Sequence, residues 1–176
     1  MGLSQEHVEC WEQKGCLHLP GFFGDGELLS HWTDELYRWP EKAGAWMKYF
    51  EAAKDGRDMR MLCRVENFLS FHAGWRSAIE DPRLFEILAV LFDEEALLFK
   101  EKINFKLPGG NGFTAHQDAP AFAAFEQTFH ITAMISIDAS TVQNGCLEMA
   151  YGRHKEGLFE MTTDKVLSQD AINAMH

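Results

Sequence analysis

The sequence predicts an α+β fold, mainly β, built as an antiparallel β-sandwich or barrel buttressed by N-terminal helices. Two observations predict it. Over residues 1–95 apolar side chains recur at steps of three and four, the period of a helix face. From Phe99 onward they alternate one in two, the period of a strand. A third observation is length. The 176 residues suffice for one domain with a real core but not comfortably for two, and no internal repeat or low-complexity linker divides them. The chain is therefore read as a single domain over residues 1–176, helical over 1–95 and β-rich over 96–176.

Taken in order, Ser4 caps a first helix that carries Val8 and Trp11 on one face, and Gly15 ends it. Residues 16–19 read as a short strand closed by Pro20-Gly21. A second helix begins near Asp25; Leu28, Trp32, Leu36 and Trp39 form one stripe expected to be buried, and Pro40 stops it. Residues 44–60 are mixed and polar, with a turn signal at Lys54-Asp55-Gly56, so a surface excursion is expected. Residues 61–68 read as a strand. Asp81-Pro82 opens another helix that turns Leu84, Ile87, Leu88 and Leu91 toward the core.

Residues 99–107 read as a strand with Phe99, Ile103, Phe105 and Leu107 on one face and Lys100, Lys102, Asn104 and Lys106 on the other. The run Pro108-Gly109-Gly110-Asn111-Gly112 is a loop. Residues 130–138 form a second alternating strand: Ile131, Ala133, Ile135 and Ile137 share one face, and His130, Thr132, Met134, Ser136 and Asp138 the other. Asn144-Gly145 makes a tight turn into a strand over 146–150, and residues 167–176 read as a helix or tail.

Composition narrows the function classes. Hydrophobic residues make up 46% and charged residues 24%, an ordinary globular balance. Asp plus Glu number 27 against 16 Lys plus Arg, a net charge of -11 that repels phosphate backbones and anionic lipids. No nucleic acid and no membrane partner is expected. No apolar run approaches a membrane span and no charged-then-apolar leader opens the chain, so a cytoplasmic location is expected. Cys10, Cys16, Cys63 and Cys146 lack a CxxC pair, and reduced, mostly buried thiols are expected rather than a disulfide framework or a zinc knuckle.

The sharpest local feature is His116-Gln117-Asp118 behind the glycine-rich loop. In an extended segment, residues two apart project to the same side, so an imidazole and a carboxylate are presented together. Two histidines and one carboxylate on one face of Fe(II) leave its other positions open for small ligands, and this pair supplies two of those three groups. By itself the pattern is common, and an exposed His-Asp pair produces it equally.

Its context is more specific. Lys100-Glu101-Lys102-Ile103-Asn104-Phe105-Lys106-Leu107-Pro108-Gly109-Gly110, then His116-Gln117-Asp118, then Asn144-Gly145-Cys146-Leu147 and Gly152-Arg153-His154 follow one another in an order and spacing that resembles the phytanoyl-CoA dioxygenase family of Fe(II)/2-oxoglutarate-dependent oxygenases. The opening Gly15, Pro20-Gly21-Phe22 pattern is similar too. The resemblance covers essentially the whole chain. It implies a double-stranded β-helix (jelly-roll, cupin-like) that binds Fe(II), with 2-oxoglutarate as co-substrate. Oxidative decarboxylation of 2-oxoglutarate to succinate and CO2 would drive hydroxylation of a small molecule by O2.

By the same resemblance His116 and Asp118 match the first two metal ligands and are the catalytic pair. Gln117 lies in the motif at the co-substrate. Arg64 falls where the family often carries a basic residue near 2-oxoglutarate, although an exposed strand arginine fits the same pattern. Lys102 and Asn104 can point into the barrel, where a buried lysine needs an anionic partner; a solvated lysine face on an edge strand is the other reading. Thr132 and Met134 match pocket-lining positions, and core packing accounts for the same residue types. His154 reads as structural, His7, His18, His31 and His72 as surface or packing residues, and His130 as a bond to a neighbouring loop.

The family's third ligand is a distal histidine on a late strand, followed by an arginine for the far carboxylate of 2-oxoglutarate. The sequence supplies neither in a strand pattern; His176 is its last residue. The expectation is a domain lacking its C-terminal strands, with an incomplete barrel, weakened iron binding and exposed strand edges. A non-catalytic jelly-roll module or inactive fragment that keeps part of the metal site is the alternative. A cupin-like enzyme of another class would be expected to carry a His-x-His, and a zinc hydrolase an HExxH; neither occurs. Among substrates, the lysine-rich strand and Ala119-Pro120-Ala121-Phe122 resemble the branch that oxidises small polar or anionic molecules, aminoethylphosphonate being one candidate.

Overall fold

The computed structural model describes residues 2–24, 26–54, 56, 58–126, 129–164 and 166–175. In chain order the helices are α1 (Gln5–Lys14), α2 (Glu27–Arg38), α3 (Ala73–Ile79), α4 (Pro82–Phe92), α5 (Ala119–Phe122) and α6 (Gln169–Asn173). The strands are β1 (Met47–Ala52), β2 (Arg60–Glu66) and β3 (Lys102–Asn104). Contacts divide the chain into two units. The first holds residues 19–112 with short pieces at 1–2 and 137–139; the second holds residues 3–18, 113–136 and 140–176.

In the first unit α2 forms between the glycine turn at Gly26 and Trp39, whose N–H still bonds Glu35 O. Its buried side chains are Leu29 and Leu36, whereas Leu28, expected on the buried stripe, is 57% exposed. Positions 29, 32 and 36 make as good a helical stripe as 28, 32 and 36, and packing selects the first. Trp32 and Trp39 are half-buried and reach an aromatic cluster centred on His72, with centroids 5.8 and 5.7 Å from its ring. His72 also caps α3: its Nδ1 accepts the Trp75 N–H at 3.1 Å, which leaves the ring proton on Nε2 to face Glu35 Oε2 at 3.1 Å. Trp75, Phe68, Leu36 and Val65 are the largest fully buried side chains.

Helix α4 starts as its sequence predicts. Pro82 occupies the first turn, and Asp81 accepts from the Arg83 N–H at 2.8 Å. The Arg83 guanidinium also bonds Asp81, and this holds the Asp81 carboxyl below its ordinary pKa, with the backbone bond adding to the effect. Ile87 is buried, while Leu84, Leu88 and Leu91 are half-buried.

The sheet is antiparallel in the order β1-β2-β3. Tyr49 pairs Arg64, and Val65 pairs Ile103. Strand β1 corrects the surface excursion expected over 44–60: a bulge between Tyr49 and Phe50 breaks the period of two and hides the strand from a pattern reading. Next to it, Glu51 accepts the N–H and the side-chain amide of Asn111 at 2.8 and 3.0 Å, tying down the glycine-rich loop. The strand expected over 61–68 is β2, which Asn67 ends at φ 58°. Residues 101–107 alternate half-buried and exposed as expected, but only Lys102–Asn104 lie in the ladder, extended by a Phe105 N–H bond to Cys63 O at 2.8 Å.

In the second unit α1 carries a reciprocal cap. Ser4 Oγ accepts the His7 N–H at 3.3 Å, and the His7 ring accepts the Ser4 N–H at 3.2 Å. Gly15 closes the helix at φ 73°, against the His154 ring, where a Cβ would overlap the imidazole. Met161 bridges Leu167, Thr162 N bonds Val166 O, and Ser168 caps α6, so residues 157–173 form a small folded-back platform. Leu167 and Ala171 are buried within it.

The strands expected over 16–19, 130–138 and 146–150 do not form. Over 130–138 the intended pattern persists in part: Ile131, Ile135 and Ile137 are half-buried and Thr132, Met134, Ser136 and Asp138 exposed, although Ala133 is exposed and His130 half-buried. Alternation decides which side chains turn inward, but a strand also needs a second backbone to take its N–H and C=O groups. None does so here among the described residues. Helix therefore outweighs strand, and the described residues form one three-stranded sheet in place of the mainly β, double-stranded β-helix expected. No described helix is long and apolar enough to cross a membrane. The four cysteines are half-buried, less enclosed than expected, and burial raises the pKa of the Cys16 thiol, with Cys10 adding to the shift.

Candidate metal centre

His116 and Asp118 lie in the second unit, in an irregular stretch between the glycine-rich loop and α5. Their side chains meet: His116 Nε2 stands 3.4 Å from Asp118 Oδ1, and the two side chains are 41% and 43% exposed. Each is oriented from behind. His116 Nδ1 lies 2.7 Å from the carbonyl of Thr114, a group that can only accept. The ring proton is thereby drawn to Nδ1 and the Nε2 lone pair is left toward Asp118. On the other side, the Thr132 hydroxyl donates to Asp118 Oδ2 at 2.9 Å, leaving Oδ1 for His116. Asp118 occupies the N-cap position of α5 without accepting a capping bond, so its carboxylate is not drawn off into the helix end.

This donor set fits a small divalent cation. Adjacent ligand atoms at about 2.1 Å from a metal stand about 3 Å apart, close to the observed separation. An imidazole lone pair and a carboxylate oxygen are the donors that non-haem Fe(II) takes. Among the described residues no third histidine, cysteine, aspartate or glutamate joins them. His176 lies outside the described residues.

The other residues singled out in the sequence are distributed as follows. Gln117, between His116 and Asp118, turns to a different segment: its amide donates to Gly157 O at 2.9 Å and accepts the Phe159 N–H at 2.8 Å. Thr132 touches Asp118, as described, and Met134 is exposed. His130 packs edge-on against Phe122, with centroids 5.1 Å apart. Arg64 and Lys102 belong to the first unit. Arg64 stacks on Tyr49 at 4.5 Å and sets its Nε 3.2 Å from Glu66 Oε1. Lys102 is exposed on β3, and Lys100, two residues earlier, reaches the same Glu66 oxygen at 3.0 Å. Asn104 pairs Arg64 across the ladder.

Sequence reasoning missed Glu66, a carboxylate with a side chain only 4% exposed, ringed by Arg64, Lys100 and the Tyr49 hydroxyl. It also missed Thr114 and the 157–159 segment, which act through backbone groups. Side-chain type carries no signal for either.

Comparison with known proteins bears on both units. The profile of the phytanoyl-CoA dioxygenase (PhyH) family matches residues 11–175. A 2-aminoethylphosphonate dioxygenase from Uncultured bacterium HF130_AEPn_1 is 47% identical over 163 residues, 92% of this chain and 62% of that protein. A methylphosphonate hydroxylase from Gimesia maris is 36% identical over 175 residues, 98% of this chain and 65% of its own length. The dioxygenase lolE1 from Epichloe uncinata is 36% identical over 161 residues, 89% of this chain and 61% of its own length. The chain thus spans less than two thirds of the length of these curated relatives. No solved structure matches.

Proposed function

The chain belongs to the phytanoyl-CoA dioxygenase family, and from that premise we propose that it works as an Fe(II)/2-oxoglutarate-dependent dioxygenase hydroxylating a small anionic molecule, with a phosphonate as the candidate substrate. The observation that supports this reading is the approach of His116 Nε2 to Asp118 Oδ1 at 3.4 Å, with each group oriented by a hydrogen bond on its far side. His116 and Asp118 would hold the metal, which when bound supplies the centre at which 2-oxoglutarate and O2 react.

The rest falls to the chain's own groups. The Thr114 carbonyl keeps His116 in the tautomer that can ligate, and Thr132 keeps the Asp118 carboxylate from rotating. On this reading Arg64 and Lys102 are the cations that would face an anionic co-substrate. The Lys102 amine is exposed, and the Arg64 guanidinium lies over the Tyr49 ring with its Nε 3.2 Å from Glu66 Oε1. The relatives' names, a 2-aminoethylphosphonate dioxygenase and a methylphosphonate hydroxylase, support the anionic substrate.

The test is anaerobic titration with Fe(II) and 2-oxoglutarate, watching for the weak visible charge-transfer band of the chelate. We expect the band in this chain and its loss in His116→Ala and Asp118→Ala. A band that survives both substitutions sinks the site. Coupled release of succinate with one of a panel of small phosphonates, and not with fatty acyl-CoA, would fix the substrate class. One observation favours a second reading: the described residues offer only two ligands. Stoichiometric iron binding without any 2-oxoglutarate turnover would make this chain a binding module that keeps the motif.

A further inference from the structure

We propose that Gln117 is a positioning residue for the metal ligands, a side chain that stands in for a peptide group and anchors the ligand stretch to the 157–167 platform; the proposal rests on the metal reading above. A backbone peptide offers an N–H donor and a C=O acceptor, and a primary carboxamide offers the same two groups with one further N–H. Gln117 uses both. It donates to Gly157 O at 2.9 Å and accepts from Phe159 N at 2.8 Å, two bonds to one segment forty residues away. These are the bonds a neighbouring strand would make, supplied by a side chain where no ladder forms. A true backbone bond lies alongside: Leu167 N donates to Ala115 O at 2.8 Å, and Leu167 is buried.

The ligand stretch is thus held at Ala115 by backbone and at Gln117 by side chain, on either side of His116. The consequence lies in direction. With the Gln117 amide committed to the platform, the side chains on each side of it, His116 and Asp118, converge on one another. Few apolar side chains in this unit are buried, so a ligand pair here has little packing to hold it. Removal of the clamp leaves both ligands chemically intact but free to diverge, and metal affinity falls with their mutual geometry. Groups that orient ligands in this way typically account for about 10- to 100-fold in affinity.

The experiment uses Gln117→Met, which keeps the length and volume of the side chain and removes both hydrogen bonds. Gln117→Glu is the second variant; it keeps the acceptor for Phe159 and loses the donor for Gly157. Four quantities are read: amide exchange at Phe159 by NMR, Co(II) affinity without co-substrate, the visible spectrum of the Co(II) form, and 2-oxoglutarate affinity of that form. We expect Gln117→Met to expose the Phe159 amide, weaken Co(II) at least about 10-fold and shift the Co(II) bands. Gln117→Glu should keep Phe159 protected and fall between Gln117→Met and the parent chain in affinity. Fast exchange at Phe159 with unchanged affinity and spectrum would reduce the clamp to a structural contact and overturn the proposal. So would unchanged Co(II) affinity with weakened 2-oxoglutarate binding, which would place Gln117 on the co-substrate instead. Failure of the metal reading looks different: the parent chain would bind no Co(II), or His116→Ala would bind it as well, and the positioning role would fall with it.

Discussion

The two units solve the same problem in opposite ways. In the first, stability comes from packing: among the described residues all but two of the buried apolar side chains belong to it, and the exceptions, Leu167 and Ala171, sit in the 157–173 platform. In the second, burial is sparse, and Phe113, Phe129, Met134, Leu147, Met149 and Leu158 stand exposed, as Leu97 and Phe99 do in the first. There the chain is held by point contacts, such as the Gln117 clamp and the Gly15–His154 packing. His116 and Asp118 belong to this second kind of structure. Hydrogen bonds fix direction well and contribute little net stability, roughly 1 kcal/mol each, whereas a packed core contributes stability and tolerates little change. The chain separates the two jobs, with bulk stability in one unit and ligand direction in the other.

Substitutions can break this contrast in graded steps. The largest effect is expected from Trp75→Ala, which empties a site among Trp32 and Phe68 and should destabilise the first unit by about 3–5 kcal/mol in urea unfolding. If the loss were below about 1 kcal/mol, the first unit would not be the packed one. Next is Gly15→Ala. The backbone there is left-handed and the added Cβ meets His154, so about 1–2 kcal/mol should be lost. Exchange rates should then rise in α1 and around residue 154, not in the sheet.

Asp81→Ala removes the cap of α4, with an expected loss of about 1 kcal/mol. The same group carries a pH dependence. Its folded pKa lies below the unfolded value, so its stabilisation is present above the ordinary carboxylate range and is lost as pH falls through the folded pKa. A melting series from pH 6 downward should therefore converge with that of Asp81→Ala in acid. The smallest effect on stability is expected from His116→Ala and Asp118→Ala, within about 0.5 kcal/mol, although metal binding is lost. A large loss of stability from either would mean that the ligand pair also carries structure.

How much of this was legible depends on distance along the chain. Helices α1, α2 and α4 declare themselves locally, through Ser4 and Gly15, through the spacing of Trp32, Leu36 and Trp39, and through Asp81-Pro82. The alternation of 101–107 was legible too. Pairing was not, because a strand is a relation between two segments; the bulged β1 is missed, and the runs at 16–19, 130–138 and 146–150 stay unpaired, failures in opposite directions. At the site, the order of motifs around His116-Gln117-Asp118 singled out His116 and Asp118, whose side chains come within 3.4 Å. It could not reveal that Gln117 looks away from them toward Phe159, or that Thr132 steadies Asp118, since both contacts join segments that nothing in the sequence marks as neighbours.

The lysines of the β3 region bear on what happens when chains crowd together. Strand β3 closes one side of the sheet, with Lys102 exposed on it and Lys100 just before it. A second molecule trying to lengthen the sheet at that border in antiparallel fashion would bring its own lysines against these, so each approaching pair meets like charges at short range. Salt shortens the reach of that repulsion, to about 10 Å at 0.1 M. Concentrated solutions of the chain should accordingly scatter least light at low ionic strength and begin to associate as salt is added.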